Sequence, residues 1–115
     1  VKDRDAPLLV EDILEAAGRL AEVVADGKQR FVDDWGQRSK VRDQLLIIGE
    51  ASRRLTHFEG YAAFDPGWSF DDARKLRNRI AHEYWLMDLD QIWRALTHRV
   101  PQMAAELRAF RDAQK

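Results

Sequence analysis

From Val10 through Ile13, Leu14, Ala17, Leu20 and Ala21 to Val24, apolar residues return every three or four positions, the spacing of one face of an α-helix. Similar periodicity recurs down the chain, and no segment alternates apolar and polar residues with a period of two, so a sheet would have no strands to form from. The first helix is expected to stop near Asp26-Gly27. A short helical stretch from about Gln29 to Trp35 should end at Gly36. Ser39 is then a plausible N-cap for a long helix reaching about His57. Its centre, Leu45-Leu46-Ile47-Ile48-Gly49, is apolar on all sides, which suits the middle of a bundle or an interface. Phe58 to Pro66 lacks helical periodicity and carries Gly60, Asp65 and Pro66, which predicts a loop. Ser69 with Asp72 makes a capping-box pattern, opening a helix that carries Phe70, Ala73, Leu76, Ile80, Ala81 and Tyr84. Asp88 with Gln91 repeats the pattern ahead of Leu89, Ile92, Trp93 and Leu96. Pro101 should end or kink that helix, leaving a last one with Met103, Leu107 and Phe110. The expected fold is all-α, an antiparallel bundle of four to five helices in one domain spanning residues 1–115.

Composition narrows the functional classes. A chain of 115 residues can close one hydrophobic core. With 45% hydrophobic residues it is too apolar for disorder. It has no cysteine, which excludes disulfides and thiolate metal sites and fits a reducing cytoplasm. No apolar run approaches the length of a membrane span. A net charge of −1 argues against a non-specific nucleic-acid coat protein. Yet Arg74, Lys75, Arg77 and Arg79 lie in a six-residue stretch free of acids. Contact with phosphate would thus be local, the alternative being a solvated helix face.

The segment Arg77-Asn78-Arg79-Ile80-Ala81-His82-Glu83-Tyr84 carries the candidate chemistry. At roughly 100° per residue, Arg77 and Tyr84 share one face, and Asn78 and His82 share a neighbouring stripe. Arg77 and His82 diverge by roughly 140° on an ideal helix. Arginine offers a permanently charged planar fork that fits phosphate oxygens. Histidine can take or give a proton when a 2′-hydroxyl attacks. Asn78 could orient the histidine or hold a phosphate oxygen. The same residues would equally suit a packed or capping His82 and a surface ion pair at Arg77. None of this chemistry needs a metal or other cofactor.

The arrangement Arg77, four residues, His82, one residue, Tyr84 resembles the signature of HEPN-superfamily toxins of the HepT type. Further stretches resemble the same family in order and rough spacing: Phe31-Val32-Asp33-Asp34, Gln44 to Ala51, Leu76-Arg77-Asn78 and Leu89 to Trp93. The likeness runs from about Glu11 to Leu107. It departs at Leu76, where many relatives carry methionine, a volume-conserving change. The resemblance implies a HEPN-like bundle and a metal-independent endoribonuclease encoded beside a minimal nucleotidyltransferase (MNT) antitoxin. It implies a homodimer whose two Arg-His motifs meet in a cleft. Arg77 would stabilise charge on the scissile phosphate and His82 would transfer protons, with Asn78, Arg79 and Arg74 in support. Tyr84 would be the tyrosine that the antitoxin modifies with adenylate groups. The rival reading within this family is a catalytically silent module that regulates the nucleotidyltransferase or serves as its substrate.

Other residues invite chemistry less strongly. His82-Glu83 fails as a zinc-protease motif, because the second histidine would have to stand at Leu86. His57 and His98 are isolated from acids at ligand spacing. Glu50 follows an apolar run and should be paired, since an unpaired buried carboxylate is costly; shaping a dimer cleft is its other possible role. Trp35, Trp68, Trp85 and Trp93 suit core or interface packing, although aromatics can also stack on unpaired bases. Trp85 directly follows the motif.

Overall fold

The computed structural model describes residues 5–114. Helix α1 (Ala6–Ala25) is followed by the short α2 (Lys28–Asp33), the long α3 (Trp35–Leu55) and α4 (Phe70–Glu83). Then α5 (Leu89–Arg94) runs through a π-helical turn (Ala95–Arg99) into α6 (Val100–Ala113), forming one rod. Short 3-10 turns occupy Glu59–Tyr61 and Tyr84–Leu86. Counting the last rod once, five helices make an all-α, HEPN-like bundle, and no strand occurs among the described residues.

Helix α3 is the central element, packed by α1 on one side and α4 on the other. Both neighbours run antiparallel to it. Arg19 bonds Gln44 and Gln37 bonds Asp26 across α1 and α3. Tyr84 bonds the Arg38 carbonyl at one end of the α3–α4 pair, while Arg77 meets Gly49 at the other. The core draws Leu9, Ile13 and Leu20 from α1, Val41, Ile48 and Leu55 from α3, and Ile92, Met103 and Leu107 from the last rod. On α1 the buried stripe also takes Ala16 and Val23, while Ala21 is exposed. The helix is therefore turned slightly from the face its periodicity suggested.

The loop between α3 and α4 is held by aromatic packing. Tyr61 and Phe64 lie against Phe110 of α6, with ring centroids 5.4 and 5.1 Å away, and Phe64 meets Phe70 at 5.0 Å. Two hydrogen bonds from α6 reinforce it: Gly67 N–H donates to Glu106 at 3.0 Å, and Gln114 donates to the Gly60 carbonyl at 2.8 Å. The capping box expected at Ser69 and Asp72 is present in both directions.

Four boundary expectations are corrected. Asp34, not Ser39, caps α3, accepting from Gly36 N–H at 2.8 Å and Gln37 N–H at 3.3 Å. Its extended backbone separates α2 from α3 after Asp33, so Trp35 opens the long helix instead of closing the short one. The helix opened by Asp88 does not end at Pro101. The preceding π turn, with Val100 N–H bonded to the Ala95 carbonyl, brings proline into the first turn of α6, where its missing donor is tolerated. Asp88 caps α5 through Asp90 N–H, but Gln91 turns away to accept from Arg79 and does not close the box.

Candidate functional site

Glycine inside a helix costs about 1 kcal/mol relative to alanine, so Gly49 in the middle of α3 calls for a steric reason. Helix α4 supplies it. A Cβ on Gly49 would overlap the Arg77 side chain and lie 2.9 Å from the Ala73 carbonyl oxygen. The missing methyl lets α4 approach α3 closely and seats the Arg77 stem on the α3 backbone.

The Arg77 guanidinium is then fixed at two points. Its Nη1 donates to Asn78 Oδ1 at 3.2 Å, and its Nη2 lies 3.9 Å from Glu50 Oε2. Glu50 is thus paired, as a half-buried carboxylate should be. Arg53, bonded at 2.7 and 3.2 Å, holds its carboxyl below the usual range against opposing partial burial, with Arg54 and Arg77 adding to the effect. Asn78 supports the arginine and makes no bond to His82. Asn78, Glu50 and the Gly49 backbone together position the cation.

Arg77 opens onto a groove of about 700 Å³ between α1, α3 and α4. The groove is lined by apolar Leu9, Leu46, Ile47, Ala51 and Ala81 and by charged Asp12, Arg42, Glu50 and Arg54. Ile47 is exposed and Leu46 half-buried. The all-round apolar centre of α3 therefore divides its residues between the core and this open groove.

His82 stands apart from that cluster. It is exposed near the end of α4 and has no hydrogen-bond partner among the described residues. Its neighbour Ala81 faces the groove, but His82 does not line it. The divergence expected from helical geometry is therefore real: within one chain Arg77 and His82 point apart.

Tyr84 and Arg77 both face α3, as their seven-residue spacing requires. The tyrosine is 4% exposed, and its hydroxyl donates to the Arg38 carbonyl at 2.6 Å. Burial pushes its pKa well above the ordinary tyrosine range, opposed by Arg38 and Arg42 nearby. Trp85 meets the ring edge-on at 4.9 Å. In this conformation the Tyr84 hydroxyl belongs to the core.

The flanking cations are largely spoken for. Arg74 bonds Asp71 at 2.7 and 3.1 Å, and Lys75 pairs with the same carboxylate at 3.2 Å. Those cations hold the Asp71 carboxyl below its usual range. Arg79 bonds Glu83 at 2.7 Å and Gln91 at 3.1 Å, which turns it toward α5 and away from Arg77. The acid-free run in sequence is thus flanked in space by acids from the same helix. Only Arg77 of the four faces the groove. Among the described residues no cluster of three or more His, Asp or Glu could hold a metal ion, and no helix is long and apolar enough to cross a membrane.

Sequence reasoning gave Gly49 no role beyond its place in a family-like stretch; its position inside a helix was the available signal. It also passed over Arg38 and Arg42, which nothing but the α3–α4 register brings to Tyr84.

A small antiparallel helical bundle with an arginine anchored between two central helices, and a solvent-facing histidine five residues on, is a HEPN-like domain. The chain belongs to the ribonuclease HepT-like family, whose model matches residues 13–110. It is also similar to a protein of Methanocaldococcus jannaschii that carries the name Putative RNase MJ1380: the two are 30% identical over 105 residues, covering 90% of this chain and 94% of the relative. No solved structure gives a significant match.

Proposed function

We propose that the protein is a metal-independent endoribonuclease, the toxin of a HEPN/MNT pair, and that it cuts RNA at a site completed by a second copy of the chain. The observation that carries this reading is the contrast within one helix: Arg77 is clamped by Glu50 and Asn78 beside an open groove, while His82 is left free for proton transfer. Family membership supplies the reaction class.

In this reading a 2′-hydroxyl attacks the adjacent phosphorus. His82 of one subunit accepts its proton, and His82 of the second protonates the departing 5′-oxygen. The new P–O2′ bond replaces the P–O5′ bond, leaving a cyclic phosphate and a 5′-hydroxyl. Arg77 stabilises the charge that builds on the phosphate oxygens, an interaction strengthened when the groove is closed and water excluded. The exposed apolar Ile47 and half-buried Leu46 beside Arg77 suit a contact with another copy, which would bring the splayed groups together. Purified protein should therefore cleave RNA in excess chelator, and expression alone should arrest growth unless the partner nucleotidyltransferase is co-expressed. Intact RNA under these conditions, or arrest caused by the partner instead, favours the silent-module reading.

Control by the antitoxin would fall on Tyr84. Its oxygen attacks the α-phosphorus of ATP, the phenolic proton passes to a base of the nucleotidyltransferase, the bond to pyrophosphate breaks, and the adenylate adds negative charge beside the RNA cleft. Because the hydroxyl is buried and bonded to the Arg38 carbonyl, transfer requires the Tyr84–Leu86 turn to open first. Incubation with nucleotidyltransferase and ATP should add adenylate mass steps that vanish in Tyr84→Phe. Steps that persist in that variant would place the modified residue elsewhere.

A further inference from the structure

Two of the four tryptophans lie on the surface, and they lie together. Trp35, at the start of α3, and Trp85, in the turn after α4, are 64% and 52% exposed. Their rings stack with centroids 5.6 Å apart and planes within 3° of parallel. Trp68 is buried and Trp93 is half-buried against Phe31, so packing accounts for those two alone. Both residues keep more than half of their surface exposed, although the Trp85 ring also meets Tyr84.

Cations follow along the same helix. Arg38 lies three residues beyond Trp35, and Arg42 four further, both close enough to Tyr84 to act on its hydroxyl. Arg38 Nε is buried without a hydrogen-bond partner, and its guanidinium has no carboxylate partner among the described residues. Arg42 touches Asp43 at 3.3 Å and also lines the groove that holds Arg77. The line of α3 thus runs from stacked rings, past an unpaired cation, to the candidate catalytic arginine. Trp35 and Arg42 are separated by roughly 10 Å along the axis at about 1.5 Å per residue. That matches a few stacked nucleotides at about 3.4 Å each.

We infer that Trp35 and Trp85 form a stacking platform for an unpaired base of the RNA substrate, with Arg38 and Arg42 holding the phosphates that lead from it to Arg77. This rests on the ribonuclease reading above and adds a substrate-positioning subsite to it. Rings followed by cations match the repeat of base and phosphate in single-stranded nucleic acid. Leu86 beside Trp85 is 87% exposed and widens the apolar patch, so it is the cations in line with the rings on α3 that favour nucleic acid over a protein partner. Trp85 lies three residues after His82, in the turn that follows α4.

Binding can be measured apart from cutting with a short unstructured oligonucleotide carrying 2′-O-methyl groups throughout, which cannot be cleaved. The Trp35→Ala/Trp85→Ala protein should bind it roughly tenfold to a hundredfold more weakly than wild type. Trp35→Phe/Trp85→Phe should recover part of the loss, because a ring remains. On cleavable RNA the alanine pair should raise KM more than it lowers kcat. An abasic spacer moved through the oligonucleotide should weaken wild-type binding most at one position, and there the alanine pair should add no further loss. Equal affinity for wild type and the alanine pair would overturn the platform, including the case in which the indoles prove to hold a second protein. If the wild type binds but Arg77→Ala and His82→Ala still cleave, the site assignment falls and the platform stands. A wild type that neither binds nor cuts RNA removes both.

Discussion

Purified His82→Ala protein is expected to lose RNA cleavage by about 10²- to 10⁴-fold, the usual contribution of a positioned acid or base, while melting at the wild-type temperature. The second half follows from geometry: the ring is exposed and has no hydrogen-bond partner among the described residues, so its removal breaks no folded-state contact. Arg77→Ala should match it in lost cleavage, with the transition-state charge left unsupported by about 10²- to 10³-fold. Its stability should change as well, because the side chain packs on Gly49 and pairs with Glu50. The two variants therefore differ in a thermal melt even if they agree in a cleavage assay. Mixing the two inactive proteins should restore little cleavage, because a mixed dimer carries only one His82 and the proposed chemistry uses one from each subunit. Full cleavage by His82→Ala would remove it from the chemistry.

Gly49→Ala is the more demanding test, since it adds a single methyl group and alters no ionisable residue. Alanine is the better helix former by about 1 kcal/mol, and on propensity alone the protein should gain stability. The new methyl, however, has the Arg77 stem and the Ala73 carbonyl in its path, and forcing packed elements apart costs about 1–3 kcal/mol. We expect a net loss of stability and a shift of α4 against α3. Because a displacement of about 1 Å can cost 10²-fold in rate, cleavage should fall by about that factor. Gly18→Ala is the internal control. Nothing lies within 4 Å of its added Cβ, so the same substitution on α1 should raise the melting temperature and leave cleavage alone. Wild-type cleavage by Gly49→Ala would show that Arg77 does not depend on the close approach.

The order of helices and the capping box at Ser69 were legible in the sequence because both are local: periodicity and a three-residue spacing determine them. The splay between Arg77 and His82 was legible for the same reason, as a matter of helical angle. What failed was competition between equally plausible local signals. Asp34 and Ser39 are both good caps, and the choice fell to the one whose backbone could break the chain between α2 and α3. Pro101 follows a rule about regular α-helices, and a π turn suspends that rule. At the site, the free cations could not be counted from the run at Arg74 to Arg79. Asp71 and Glu83 lie just outside it in sequence yet reach back into it on the helix. The partners of Arg77 were hidden more deeply, because Glu50 lies on another helix and only the α3–α4 register brings the two together.

The two hydrogen bonds from α6 to the loop between α3 and α4 span 39 and 54 residues of chain. Both are exposed, and bonds of this kind contribute only about 0.5–1.5 kcal/mol each. Bonds that close loops of this length are expected to form late in folding. They also release early, ahead of the core. The start of α4 is therefore held twice, by this exposed clasp and by Trp68 and Phe70 packed into the core, while Tyr84, just beyond its far end, is buried as well. Amide exchange should therefore be fast at Gly67, whose N–H lies in this exposed clasp, and slow along the buried side of α4 around Ala73 and Ile80.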